Sequence, residues 1–203
     1  MYIVFDLETT GLPDRLKGSA TGYYPPHQLD KYDKSRVVQL AYIAVDKDFN
    51  ELHQNEFKIK GVDLMDSTRF HGITDEILER DGVSFEDIIE ECSGDFTICK
   101  GFIAHNADFD MNILCSELIR RGYKELASLI YKKPLICSMK RLKNVVGIKN
   151  NYGIKYPSLA ELYRFCFGQE AVIENAHDAM ADTSALVECL KETLITKNIN
   201  VLM

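Results

Sequence analysis

The sequence predicts an α/β fold with a mixed central sheet flanked by helices, and three observations predict it. Three segments of strand character fall within the first sixty residues. Segments with helical start and stop signals fill most of the remaining chain. A short apolar strand interrupts those helices near residue 101.

Residues 2 to 6, YIVFD, read as a buried strand ending in a carboxylate. Residues 37 to 46, VVQLAYIAVD, are apolar and β-branched enough for a second strand, and 52 to 59 make a weaker third. Asp48-Phe49-Asn50 supplies a turn between the last two, so the three form an antiparallel meander. Residues 84 to 92 open with Ser84 as N-cap and place Glu86 and Asp87 in the first turn, where a helix dipole favours acids. Residues 101 to 104, GFIA, form the short strand. Residues 108 to 121 carry Met111, Leu114 and Leu118 on one stripe and close at Gly122. A helix over 158 to 167 starts from Ser158 after Pro157. The last runs from about 177 to 195 with Leu186, Leu190 and Leu194 on its buried side. Residues 13 to 36 are irregular, with three prolines, two glycines and the pair Tyr23-Tyr24, and read as a long loop insertion in a single domain spanning 1–203.

The chain has 203 residues, 46% hydrophobic and 27% charged, an ordinary globular balance. No apolar run reaches the ~20 residues that span a bilayer. The opening MYIVFDLE has neither a basic region nor a cleavage pattern, which predicts no signal peptide and a cytoplasmic place. Six scattered cysteines without a C-x-x-C pair fit reduced thiols rather than a disulfide framework or zinc site. The formal net charge of −7 argues against a protein that coats nucleic acid. Charge is unevenly spread, however. Residues 126 to 160 hold no acid but carry Lys132, Lys133, Lys140, Arg141, Lys143, Lys149 and Lys155, whereas residues 75 to 95 hold nine acids against Arg80. The basic run is either a solvated face or a contact for a phosphate backbone.

Three features carry chemistry. Asp6 and Glu8 project to one side of the first strand. Two such carboxylates repel unless a cation lies between them, and a hard divalent ion is the natural partner. The spacing alone is common; it recurs at Asp46/Asp48 and Glu79/Asp81. The hydrophobic strand before this pair and the Gly11 turn after it set it apart. Next, Asp108 and Asp110 follow His105-Asn106 at a helix start, where either acid could simply cap the helix. Last, His177 and Asp182 lie five residues apart, ~140° round a helix, and bracket one site if His177 precedes the helix proper.

In order along the chain, these features are Asp6-Leu7-Glu8-Thr9-Thr10-Gly11, His105-Asn106-Ala107-Asp108-Phe109-Asp110 and His177-Asp178-Ala179-Met180-Ala181-Asp182. Together they resemble the DnaQ-like 3′→5′ exonucleases of the histidine-containing DEDD type, the family of the proofreading subunit of bacterial replicative polymerase. Phe70-His71-Gly72-Ile73-Thr74 and Ser158-Leu159-Ala160-Glu161-Leu162 are similar to two further family segments, so the likeness spans residues 2 to about 190. The resemblance implies a ribonuclease H-like fold. It makes Asp6, Glu8, Asp110 and Asp182 ligands of two Mg2+ ions, with Mn2+ as a substitute, and His177 the base that takes a proton from the attacking water. Asp108 is then left to cap its helix. The reaction implied is release of nucleoside 5′-monophosphates from 3′ ends, single-stranded DNA before RNA, beside a DNA polymerase in trans or in repair. The resemblance places Thr9, Leu12, Asp66 and His71 against the substrate. The bland reading makes Leu12 core and Asp66 and His71 loop surface. Tyr23 and Tyr24 either stack on a splayed base or pack their own loop. An RNA or oligoribonucleotide exonuclease stands as one alternative, and a catalytically silent module that binds 3′ ends or a partner as another.

Overall fold

The computed structural model describes residues 1–19 and 21–202. In chain order the strands are β1 (Tyr2–Thr9), β2 (Val37–Val45), β3 (Glu51–Lys58), β4 (Phe102–Ala104), β5 (Leu135–Cys137), β6 (Lys149–Asn150) and β7 (Gly153–Ile154). The helices are α1 (Thr68–His71), α2 (Asp75–Asp81), α3 (Phe85–Ile98), α4 (Ala107–Arg120), α5 (Lys124–Tyr131), α6 (Ser138–Arg141), α7 (Lys143–Val146), α8 (Leu159–Phe167) and α9 (Ala179–Lys197). No helix among the described residues is long and apolar enough to cross a membrane.

Five strands make one mixed sheet in the order β3-β2-β1-β4-β5. The meander β1–β2–β3 is antiparallel, and β4 and β5 join it in parallel. Alternation along β1 sorts its side chains between two layers. Ile3, Phe5 and Leu7 pack with Phe85, Ile88, Phe96, Met111, Leu114 and Leu118 from α3 and α4. Val4 faces the other way, with Ile43, Ile103, Leu162, Leu186 and Leu190 from β2, β4, α8 and α9. Asp6 and Glu8 share the parity of Val4 and so belong to the α8–α9 side.

The caps are read directly from sequence chemistry. Ser84 accepts from the Asp87 N–H at 3.1 Å to start α3, and Ser158 and Glu161 form a reciprocal capping box on α8. Several elements differ from expectation. β1 continues to Thr9, because β2 offers it a ladder as far as Val37, so Asp6 and Glu8 lie inside the strand rather than at its end. α3 runs to Ile98, six residues beyond the span its sequence predicts. α5, β5 and the β6–β7 hairpin are absent from the sequence reading. α5 starts without a capping side chain at Tyr123, unlike α3 and α8, and the strands hold only three, two and two residues. All six cysteines are free.

Segment 13–36 packs on itself. It contains a 3-10 turn at Leu29–Tyr32, and Asp14 N–H donates to Lys31 O at 2.9 Å. Tyr23 is buried against Phe109 with the Arg15 guanidinium 4.1 Å above its ring, and the Tyr32 hydroxyl donates to Tyr24 O. Tyr23 therefore serves loop packing and is not free to stack on a base. The far end of the segment is fastened by Arg36, which donates through Nε and Nη2 to Glu117 at 2.7 Å each; Arg121 donates to the same carboxylate at 2.9 Å. Glu117 is only 2% exposed, and the two guanidiniums hold its carboxyl below the usual range against the opposing effect of burial.

Candidate active site

β1 runs on past the end of β4, whose last paired residue alongside it is Ile103. Asp110, from the first turn of α4, comes up beside this overhang. Asn106 precedes that turn with φ 71°, a left-handed conformation that Asn tolerates better than most residues. His105 bonds Ser138 Oγ and Pro157 O, each at 2.9 Å, and ties the second motif to the start of α6 and to the chain entering α8. Asp110 is 2% exposed. Asp108, expected to cap α4, makes no cap hydrogen bond there and instead pairs with Lys140 of α6.

After Glu8 the register of β1 against β2 shifts, and the chain turns sharply through Thr10 and Gly11. Thr10 Oγ1 donates to Lys34 O at 3.1 Å and accepts from the Arg36 N–H at 2.9 Å, while Ser35 Oγ donates to Gly11 O at 2.7 Å. A Cβ on Gly11 would stand 2.8 Å from Lys34 O, so only glycine lets the two segments approach this closely.

The third motif starts α9. Asp178 is the N-cap: its Oδ1 accepts from Met180 N–H at 3.1 Å and from Ala181 N–H at 3.0 Å. His177 precedes the helix with φ 70°, and its backbone N–H donates to Asp182 Oδ2 at 3.3 Å. Ligand atoms of Glu8, His177 and Asp182 all lie within 4.8 Å of one another. The imidazole is exposed, at the mouth of the cluster.

The electrostatics join the remaining acids to this group. Burial pushes Asp6 well above its usual range, and the charges of Asp110, Asp182, Glu8 and Asp178 push it further. Glu8 is raised to about 8 by burial, then by Asp182, Asp110 and Asp178. Asp110 is raised by burial against the pull of its own and Leu7's N–H, and Asp182 by burial against the His177 N–H and imidazole. No Lys or Arg among the described residues forms an ion pair with any of the four. Crowded, half-desolvated oxygen donors with no internal counter-charge are the donor set that hard divalent cations take.

The four residues expected against substrate are placed differently from one another. Thr9 Oγ1 donates to Gly11 O at 2.9 Å, within the turn. Leu12 follows it and is 77% exposed, so it is not core. Asp66 is exposed, and no side-chain hydrogen bond ties it down among the described residues. His71 uses both ring nitrogens in its own loop: Nδ1 accepts from Ile73 N–H at 3.1 Å, and Nε2 lies 3.0 Å from Ser67 Oγ. Burial holds its pKa below the ordinary imidazole value.

The basic stretch is partly spent internally. Lys133 donates to Thr97 O and Cys99 O, Lys155 pairs with Glu161, and Lys143 lies 4.5 Å above the Tyr156 ring. Arg141 and Lys149 are exposed, and Tyr152 at the tip of the β6–β7 hairpin is 97% exposed. A cavity of about 870 Å3 between residues 25–29 and α4–α5 is lined by none of the carboxylates.

Two residues of this region escaped the sequence reading, Asp178 as a fifth nearby acid and Gln39. The latter left a signal: it is a lone amide within the apolar run VVQLAYIAV, and it is fully buried.

Comparison with known proteins agrees with this construction. A segment of the PolC-type DNA polymerase III of Mycoplasmopsis pulmonis is 30% identical over 132 residues, covering 63% of this chain and 8% of that protein. The zinc-bound E. coli exonuclease I–single-stranded DNA complex superposes with a TM-score of 0.69 at 19% identity, over 97% of this chain and 41% of the other. Exonuclease X in complex with 5′-overhanging duplex DNA gives 0.58 at 19% identity, over 100% of this chain and 96% of the other. The chain thus spans about two fifths of exonuclease I and less than a tenth of the polymerase. The mixed sheet with helices on both faces is the ribonuclease H-like fold of these neighbours. The family model described as exonuclease (RNase_T) matches residues 3–190, and the chain belongs to that exonuclease family.

Proposed function

We propose that this protein is a divalent-metal-dependent 3′→5′ exonuclease that acts on DNA ends and releases nucleoside 5′-monophosphates. One observation carries the reading: four carboxylates from three distant segments converge with no Lys or Arg ion pair among the described residues, and an exposed imidazole stands beside them. Asp6, Glu8, Asp110 and Asp182 would hold two Mg2+ ions, or Mn2+ in their place. Bound there, the ions would supply charge neutralisation at the scissile phosphate and acidify the attacking water.

The chain's own residues do the rest. His177 is the general base. Its exposure lets the imidazole reach a water at the site mouth and take a proton from it. Asp182 Oδ2 accepts from the His177 N–H, which couples the base to a metal ligand through one short turn. Leu12, exposed beyond the Thr9–Gly11 turn, wedges against the terminal base, and Thr9 offers backbone contact to the same nucleotide. Asp66 is free to contact the strand, whereas His71 shapes the loop that carries it. The likeness to a segment of a PolC-type polymerase supports a proofreading role in association with a polymerase.

The test is a time course on 3′- and 5′-labelled single-stranded DNA and RNA, with Mg2+ and with chelator, for the wild type and His177→Ala. Metal-dependent loss of mononucleotides from the DNA 3′ end, slowed ~100-fold or more in the variant, is expected. Faster cleavage of RNA would move the substrate class. No cleavage of either by folded protein would leave a module that binds ends without cutting them.

A further inference from the structure

Gln39 sits on β2 directly across from Glu8 in the ladder, and it is fully buried. Its amide rises from the face of the sheet to the start of α9. Oε1 accepts from the Ala179 N–H at 3.1 Å, and Nε2 donates to Asp178 Oδ2 at 2.9 Å and to Glu56 Oε1 at 2.8 Å. Glu56 is held in turn by Lys58 at 2.5 Å.

These contacts complete the helix start. The first N–H groups of an α-helix have no partner within it. Here Ala179 N–H goes to Gln39, Met180 and Ala181 N–H go to Asp178 Oδ1, and Asp182 N–H goes to Asp178 O at 2.9 Å. Asp178 therefore divides its carboxylate: one oxygen caps the helix and the other is fastened to β2. His177 and Asp182 lie on either side of this anchor. His177 holds a left-handed backbone angle that a β-carbon disfavours, so it depends on its surroundings to stay there.

We propose that Gln39 is the positioning residue of the site: by clamping Asp178 and the first turn of α9 to β2, it sets the His177 imidazole and the Asp182 carboxylate against Glu8. The inference rests on the reading of His177 as base and Asp182 as ligand. Gln39 touches neither substrate nor reacting atoms, and its effect passes through Asp178. A glutamine is suited to the place because it accepts from one backbone N–H and donates to two carboxylates, with the polarity of all three bonds fixed.

That polarity gives a test. Gln39→Glu sets a carboxylate against Asp178, and Asp178→Asn sets an amide donor against a donor whichever way it is turned. In the double variant, the amide nitrogen introduced at position 178 donates to the carboxylate introduced at position 39. The amide oxygen at 178 still caps Met180 and Ala181, the carboxylate at 39 still accepts from Ala179 N–H, and Glu56 turns to Lys58 and solvent. The four proteins of this cycle, with His177→Ala as reference, are compared for kcat, KM and melting temperature on a labelled oligonucleotide with Mg2+. Each single variant is expected to lose kcat ~30-fold or more with KM within about 3-fold, and the double variant to return to within about 5-fold of wild type. Wild-type kcat in Gln39→Glu, with His177→Ala inactive, would overturn the inference and leave the catalytic reading standing. Loss of activity and melting temperature in parallel, without recovery in the double variant, would reduce Gln39 to a structural residue and also overturn it. Full activity in His177→Ala would overturn the catalytic reading itself.

Discussion

Glutamine in place of Glu8 should stabilise the metal-free protein, and do so only where the carboxylate is ionised. Unfolded, Glu8 releases its proton near the ordinary 4.5; folded without a cation, it does so near 8. Below pH 4 both states keep the proton, and the site adds nothing to the pH dependence of stability. As pH rises past 4.5 the unfolded chain ionises first, so stability falls until the folded carboxyl also ionises, and above 8 the penalty is complete. That gap corresponds to ~5 kcal/mol at its limit. Partial solvent contact, and the share of repulsion left among Asp6, Asp110 and Asp182, bring it to ~2–3 kcal/mol. For a chain of this length, a melting shift of ~2–4 °C accompanies each kcal/mol, so Glu8→Gln gains about 5–10 °C at pH 9. Thermal unfolding in chelator at pH 5 and pH 9 measures it, and the gain should shrink to about 2 °C at pH 5. Mg2+ should reverse the order by stabilising the wild type more than the variant. Equal melting temperatures at pH 9 in chelator would refute the reasoning, since a carboxylate so crowded cannot be neutralised without effect.

Glu117→Ala leaves Arg36 and Arg121 facing each other without their acceptor, and should cost ~3 kcal/mol in urea unfolding and open segment 13–36 to protease. Leu12→Ala should leave melting within about 1 °C because the side chain is exposed, yet raise KM for single-stranded DNA ~10-fold, which steady-state kinetics will show. Arg141→Gln with Lys149→Gln should flatten the salt dependence of binding by ~0.7 in log–log slope per contact, read by fluorescence anisotropy; Lys140→Gln, whose charge already pairs with Asp108, should change it far less.

Much of this site was legible in the sequence because its signals are local and ordered. A buried strand with acids of one parity, a His-Asn-containing turn before a helix, and a His five residues ahead of an Asp each have a physical reading, and their succession narrows it. What stayed illegible is tertiary. Gln39 and Asp178 are 139 residues apart, and no spacing rule links them. Asp108 looks like a cap in isolation, yet Lys140 claims it. Leu12 could have been core or wedge, and the turn fastened to Lys34 and Ser35 decides that it faces solvent. His71 could have faced substrate, but a hydrogen bond only two residues long turns its ring inward. α5 begins without a capping side chain, and β5 is only three residues long.

The face of the sheet covered by α8 and α9 has a history in synthesis. Val4, Ile43 and Val45 leave the ribosome well before their cover, which arrives with α8 and α9, more than a hundred residues after β2 ends. At ~5–20 residues per second that is on the order of ten seconds during which a nascent chain carries a bare apolar sheet face, a natural target for a chaperone. The same delay is protective. Asp6 already has Glu8 and Asp110 for neighbours, but Asp182 joins them only with that last helix, so the full set of like charges is not gathered until the final docking step.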